Sequence, residues 1–336
     1  MPDVYFQPPR PPLSFREQFG VKSVGQVLDT IRTVVTARGR YSVALSSAGL
    51  LRPDLSFPAY RRRLPEDRVA PIFNLFDRTG GGAGFRATTS RDTCRDYRGG
   101  RLTYDEHDGT DFVCPPGTPL CAAAPGVVVA ARDTFLRGGL TLCVDHGHGV
   151  VTQYTHLSRL VAAIGQSVCR GEVVALSGTA GFDMLTGFPW VPPHVHFMVW
   201  VRGRPVDPYR APGEGDRPGL WYHGGDPETS GPLGGDGNPP SLASLAVDSL
   251  AIARLEGCCQ DPAIRAELAR AHSDAGRAAI LEDSLHHDRP AWRGVDPDEL
   301  RPPSDPGEVR LTLPLHRDLY ARARPVDAPW TRPRLS

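Results

Sequence analysis

The chain has 336 residues, with 38 basic and 38 acidic side chains and a formal net charge of zero, so it lacks the field needed to hold nucleic acid or an anionic membrane. No run approaches the ~20 apolar residues of a membrane helix. The start, MPDVYFQPPRPPLSFREQFG, has neither the basic opening nor the apolar stretch of a secretory leader.

In chain order, the proline-rich first 20 residues predict an extended arm. In SVGQVLDTIRTVVTARG, Val24, Val27, Leu28, Ile31 and Val34 recur at helical spacing. Ser23 and Gln26 supply a capping box and Gly39 a stop. Arg61, Arg62 and Arg63 read as a solvated turn. The glycine loop TGGGAG reads as a connector, because a phosphate cradle would need a following lysine and Lys22 is the only lysine in the chain.

From about residue 86 to 210 the sequence changes to short β-branched runs punctuated by Gly and Pro: GVVVAA, LTLCVDHG, GVVTQYTHL, GEVVALSG and HVHFMVWV. Turn signals every 8 to 12 residues indicate an all-β sandwich or barrel-like domain. Residues 211–241, containing GEGDRPG and GPLGGDGNPP, read as a low-complexity tether. A mainly helical module is expected over 242–336, with Asp261 as N-cap, Pro262 in the first turn, and Ile264, Leu268 and Ala271 on one face. Near its end VRLTLPL alternates like a strand, and Pro314 restricts it to a sheet edge. The expected partition is therefore 1–85, 86–210, 211–241 and 242–336. The seven cysteines show no CxxC spacing, which fits free thiols in a reducing compartment and a cytoplasmic location.

Three stretches of the β region carry histidines suited to a metal hydrolase: HDGTD with His107 and Asp111, QYTHLS with His156, and PPHVHFMVW with His194 and His196. Residues two apart on a strand point to one face with Cα atoms about 6 to 7 Å apart. One imidazole of the HxH pair can then bind a metal while the other faces the open coordination position. Gly109 permits a tight path that brings His107 and Asp111 together. Two histidines and one aspartate satisfy the usual three-ligand count of a catalytic zinc. Taken singly, HDGTD also fits a surface turn and HxH a strand with one exposed face; together, within about ninety residues, they favour a metal site.

Residues 104–208 resemble the catalytic domain of lysostaphin-type, LytM-like zinc metallopeptidases, which cut peptide bridges in peptidoglycan. HDGTDF, PPGTPLCAAAPGVVV, LCVDHGHGVVTQYTHLS, GQSVCRGEVVALSGTAG and PHVHFMVWVRGRPVDP match in order. The resemblance implies an all-β core of the duplicated hybrid motif type, built of antiparallel sheets, with helical N- and C-terminal extensions and a mixed α+β chain overall. It also implies one Zn2+ per chain held by His107, Asp111 and His196. His194 would be the general base, and His156 would orient the water or stabilise the oxyanion. The substrate would be a peptidoglycan peptide and the location the cell envelope or outside the cell. Met198 departs from the glutamate common after HxHF, and the longer approach to the HxH strand adds Phe182, Phe188 and Trp190. His146 and His148 sit where a β-turn is expected and carry no ligand role. Two other readings compete: a regulatory or binding module of wall hydrolysis, and a zinc peptidase acting on a non-wall peptide.

Overall fold

A computed structural model describes residues 6–36, 42–80, 88–215, 219–287, 300–303 and 308–326. Its strands are β1 (Ser42–Val43), β2 (Val69–Asn74), β3 (Thr88–Thr89), β4 (Thr110–Val113), β5 (Pro119–Cys121), β6 (Gly126–Thr134), β7 (Gly139–Asp145), β8 (Val150–Leu160), β9 (Ser167–Val168), β10 (Val173–Ser177), β11 (His194–Val201), β12 (Arg204–Val206) and β13 (Arg322–Pro325). The helices are α1 (Phe15–Phe19), α2 (Val24–Thr36), α3 (Pro53–Tyr60), α4 (Phe182–Gly187), α5 (Ser249–Cys258), α6 (Pro262–Arg270) and α7 (Asp274–His287). The main sheet runs β13-β2-β4-β11-β8-β7-β6-β9, with β10 joining β5 to β8 and β12 beside β11. Its pairs are antiparallel apart from β13 and β2, as the β-rich, mixed α+β expectation requires.

Both faces of this sheet are covered. Val128, Leu142, Val144 and Phe197 face one core together with Phe112, Tyr154 and Trp221. The alternate positions Val127, Val129, Cys143, Met198 and Trp200 face a second core built with Ile252, Leu255, Ile264, Leu268, Leu281 and Leu285 of the C-terminal helices. Burial on both sides is why GVVVAA is an unbroken apolar run rather than an alternating one. Gly276 sets how close α7 comes to β6: a Cβ there would lie 2.7 Å from the Val129 carbonyl oxygen. Buried ion pairs fix the helix in place. Arg301 donates to Glu282 at 2.5 Å and to Asp145 at 2.6 Å, and Arg132 binds Glu267 at 2.7 Å and also Asp283.

The packing crosses the boundaries expected from sequence. β2, from the N-terminal stretch, and β13, from the C-terminal one, extend the main sheet beyond residues 86–210. The 211–241 stretch is no simple tether: Trp221 is buried and stacks on Phe197 with ring centroids 5.9 Å apart. A glycine count misses one large aromatic with enough apolar surface to anchor the segment. VRLTLPL forms no edge strand either. Leu311, Leu313 and Leu315 are fully buried, and Leu311 makes an isolated bridge to Trp221 and Leu315 one to Leu120.

The proline-rich arm contains α1, whose N-cap Ser14 and Glu17 form a reciprocal capping box. The Ser23 helix exists as α2 and Ser23 accepts from the Gln26 backbone at 3.1 Å. The Gln26 side chain, however, reaches Lys22 instead of Ser23. Val24, Leu28 and Ile31 of its apolar stripe are exposed. Gly39 and Gly81 to Gly84 of the glycine loop lie outside the described residues. α6 starts at Pro262 with Asp261 capping Ala263 and Ile264. All seven cysteines are free, with Cys169 and Cys258 exposed and the other five buried. No helix among the described residues is long and apolar enough to cross a membrane.

Candidate metal centre

β4 and β11 are hydrogen-bonded neighbours whose register sets Asp111 opposite His196 and Val113 opposite His194. The HxH spacing therefore presents both imidazoles beside Asp111, and the turn before β4 delivers His107. Gly109 in that turn lies against β11: a Cβ would come 2.7 Å from the Phe197 carbonyl oxygen and 2.8 Å from His196 Cε1. The glycine is demanded by this contact with β11.

His107 Nε2 stands 3.2 Å from Asp111 Oδ1 and 3.2 Å from His196 Nδ1. His196 Nδ1 is 2.8 Å from the same Asp111 oxygen. One donor atom from each residue lies within 4.8 Å of the others. His194 Nε2 follows at 3.6 Å from Asp111 Oδ1, and the His156 and His194 rings are 4.9 Å apart. All five side chains are buried.

The inward-facing nitrogens are selected by what the outward ones do. His107 Nδ1 donates to the Leu75 carbonyl at 2.7 Å, His194 Nδ1 to Pro192 at 2.7 Å, and His156 Nδ1 to Ala180 at 2.8 Å. Their Nε2 atoms are thus the acceptors that face the centre. His196 is reversed: its Nε2 donates to Asp108 Oδ1 at 3.1 Å, leaving Nδ1 inward. His156 reaches its place through a register shift in the pairing of β8 with β7, and its φ is 63°. A bulge with a left-handed residue re-aims one side chain without ending the strand. Ala180 is itself held by the arm, where Gln18 and Phe19 carbonyls accept from Thr179 and Gly181 at 2.8 and 3.3 Å.

Burial pushes His194 down to about 4, so this imidazole is neutral. His196 goes the other way. Burial would lower it, but hydrogen bonds from it to Asp108 and Asp111 outweigh that and hold it up at about 10. Desolvation likewise opposes ionisation of Asp111, yet His107 and His194 keep it well below the usual carboxylate range. Two buried carboxylates around one imidazole call for positive charge at this spot, as a proton or a metal ion supplies. The borderline N and O donors suit zinc.

Residues beyond the expected set complete the surroundings. Asn74 of β2 donates to Asp111 Oδ2 at 2.8 Å, and Arg91 donates to Asn74 Oδ1 at 2.6 Å. Asp108, inside the HDGTD turn, binds His196, and His286 of α7 binds Asp108. Met198 is buried under the C-terminal helices, where a glutamate would lose its water. Phe188 and Trp190 are about half exposed and pack against Tyr60 and Phe57 respectively. His146 is buried on Pro125 and Thr152, and His148 lies beside Glu308, both away from the centre.

Three donors gathered within reach of one cation, with the His194 and His156 imidazoles beside them, form a candidate metal site. Residues 105–208 match Peptidase family M23, and this part of the chain is a peptidase M23 domain. It is 41% identical over 105 residues to the peptidoglycan DD-endopeptidase ShyA of Vibrio cholerae, covering 31% of this chain and 23% of that protein. It is 37% identical over 106 residues to the DD-carboxypeptidase/endopeptidase Mpg of Neisseria meningitidis serogroup B, covering 32% and 23%. Among solved structures, the catalytic domain of lysostaphin from Staphylococcus simulans aligns over 30% of this chain and 75% of its own, at 28% identity and a TM-score of 0.27. The chain thus spans under a quarter of the length of the curated relatives it matches.

Proposed function

We propose that the protein is a zinc-dependent endopeptidase that hydrolyses peptide cross-links of peptidoglycan, with one zinc ion per chain held by His107 Nε2, Asp111 Oδ1 and His196 Nδ1. The observation that carries this reading is the convergence of those three atoms with the free Nε2 of His194 beside them. When bound, zinc would act as a Lewis acid on the scissile carbonyl and acidify a water. His194, neutral and turned inward by its bond to Pro192, takes the proton of the attacking water and passes it to the leaving amine. His156 Nε2, on the same side, supports the oxyanion side of the reaction. The similarity to ShyA and Mpg supports the substrate class. The functional unit in this reading is larger than residues 86–210, because Asn74 and β2 hold Asp111 in place. The test is release of new amino groups from purified peptidoglycan by the zinc-loaded protein, with a His194→Ala variant that keeps its zinc alongside. Release by the wild type alone supports both substrate and roles. Silence from both with zinc bound removes the wall substrate.

A further inference from the structure

Outside the family-matched segment, α7 brings the doubled histidine of the C-terminal stretch to the back of the centre. His286 Nε2 donates to Asp108 Oδ2 at 2.9 Å, and the other oxygen of that carboxylate accepts from His196 Nε2 at 3.1 Å. Asp108 and His286 are both buried. A carboxylate in this position fixes ring orientation and tautomer, so that the opposite nitrogen, Nδ1, presents its lone pair to a metal. A carboxylate accepting from one side only can swing. Held by a donor from a separate element, it is locked.

We infer that His286 is a positioning residue of the metal centre, acting through Asp108 on His196, so that the C-terminal helix sets how tightly the metal is held. The inference rests on the metal-centre reading above. Its structural basis is continuous along β11: His196, Met198 and Trp200 share one face, and the face that ends at the metal ligand is the face that α7 covers. Trp200 meets the His286 ring edge-on at 5.4 Å, fixing the imidazole from the side. Arg137, from the β6–β7 turn, also reaches Asp108 Oδ2, at 3.1 Å, but its side chain is 27% exposed against 4% for His286. Charge-assisted bonds hold geometry better where water does not compete, so His286 is the stronger constraint. The same three residues, Asp108, His286 and His287, could be taken for a second cation site. The Arg137 guanidinium on the shared oxygen opposes that.

The experiment measures zinc affinity of the full chain by competition with a chromophoric chelator, together with the visible spectrum of the cobalt-loaded protein. His286→Leu and Asp108→Asn should each weaken zinc by about 10- to 100-fold and alter the cobalt spectrum. His286→Gln, which keeps a donor at the Nε2 position, should restore most of the affinity. Leu281→Ala, which loosens the same helix without touching Asp108, should lower thermal stability and leave affinity unchanged. Wild-type affinity and spectrum in folded His286→Leu would overturn the inference, as would equal loss in His286→Gln and His286→Leu. Two zinc ions per wild-type chain, with one lost in His287→Ala, would overturn it in favour of the second site. Zinc binding that disappears in His196→Ala but is untouched in His286→Leu would leave the metal centre standing and sink only the role of α7. A wild type that binds no zinc would sink both.

Discussion

Gly109 shows how much of the centre is decided by one missing side chain. Gly109→Ala would press a methyl group into the Phe197 carbonyl and the His196 ring, and overpacking of that kind costs about 1–3 kcal/mol. The variant should melt at lower temperature and surrender zinc faster on dialysis against a chelator. His194→Ala should behave in the opposite way, retaining zinc while its hydrolysis of peptidoglycan falls by about 10²- to 10⁴-fold, the range for loss of a general base. At this scale the sequence was highly legible. HDGTD and HVH carry four of the five central side chains, and period-two alternation tells that His194 and His196 share a face. Asn74, Asp108 and His286 were not legible as partners. Hydrogen bonds between residues 37 to 178 positions apart depend on which strands become neighbours, and local spacing holds no record of that.

The elements that build the core were read well where periodicity was strong and poorly where composition misled. β6, β7, β8, β10 and β11 fall on the quoted apolar runs, and α6 starts at its expected cap. The Gly- and Pro-rich stretch and VRLTLPL were misjudged because their turn residues outnumber the few side chains that anchor them. Trp221 supplies the clearest check. Trp221→Ala should destabilise the protein by about 3–5 kcal/mol, the range for removing a large buried aromatic, as measured by chemical denaturation. A true tether would show no change. α2 is the converse: its period was right, but the stripe that period marks stays largely in water, because the helix meets the protein through Thr30 and the partly buried Val27 and Val34.

At the level of the whole molecule, strands and leucines from outside residues 86–210 finish the core, so that segment expressed alone should show no cooperative unfolding transition by circular dichroism, whereas the full chain should. Stability should also fall in mild acid. Burial holds His146 down at about 4 in the folded protein against about 6.5 when unfolded. The unfolded chain therefore takes up the proton first as pH drops. The contribution is whole above pH 6.5 and is lost progressively towards pH 4, amounting to roughly 3 kcal/mol. His146→Gln should flatten this part of the pH–stability curve relative to wild type. The pairing of β13 with β2 has a further consequence. Val69 lies opposite Arg322, so during translation β2 leaves the ribosome long before this neighbour exists, and the outer edge of β2 stays open while the intervening chain is made. Pairings so distant along the chain form slowly. The main sheet is thus complete only after residue 325 has cleared the exit tunnel.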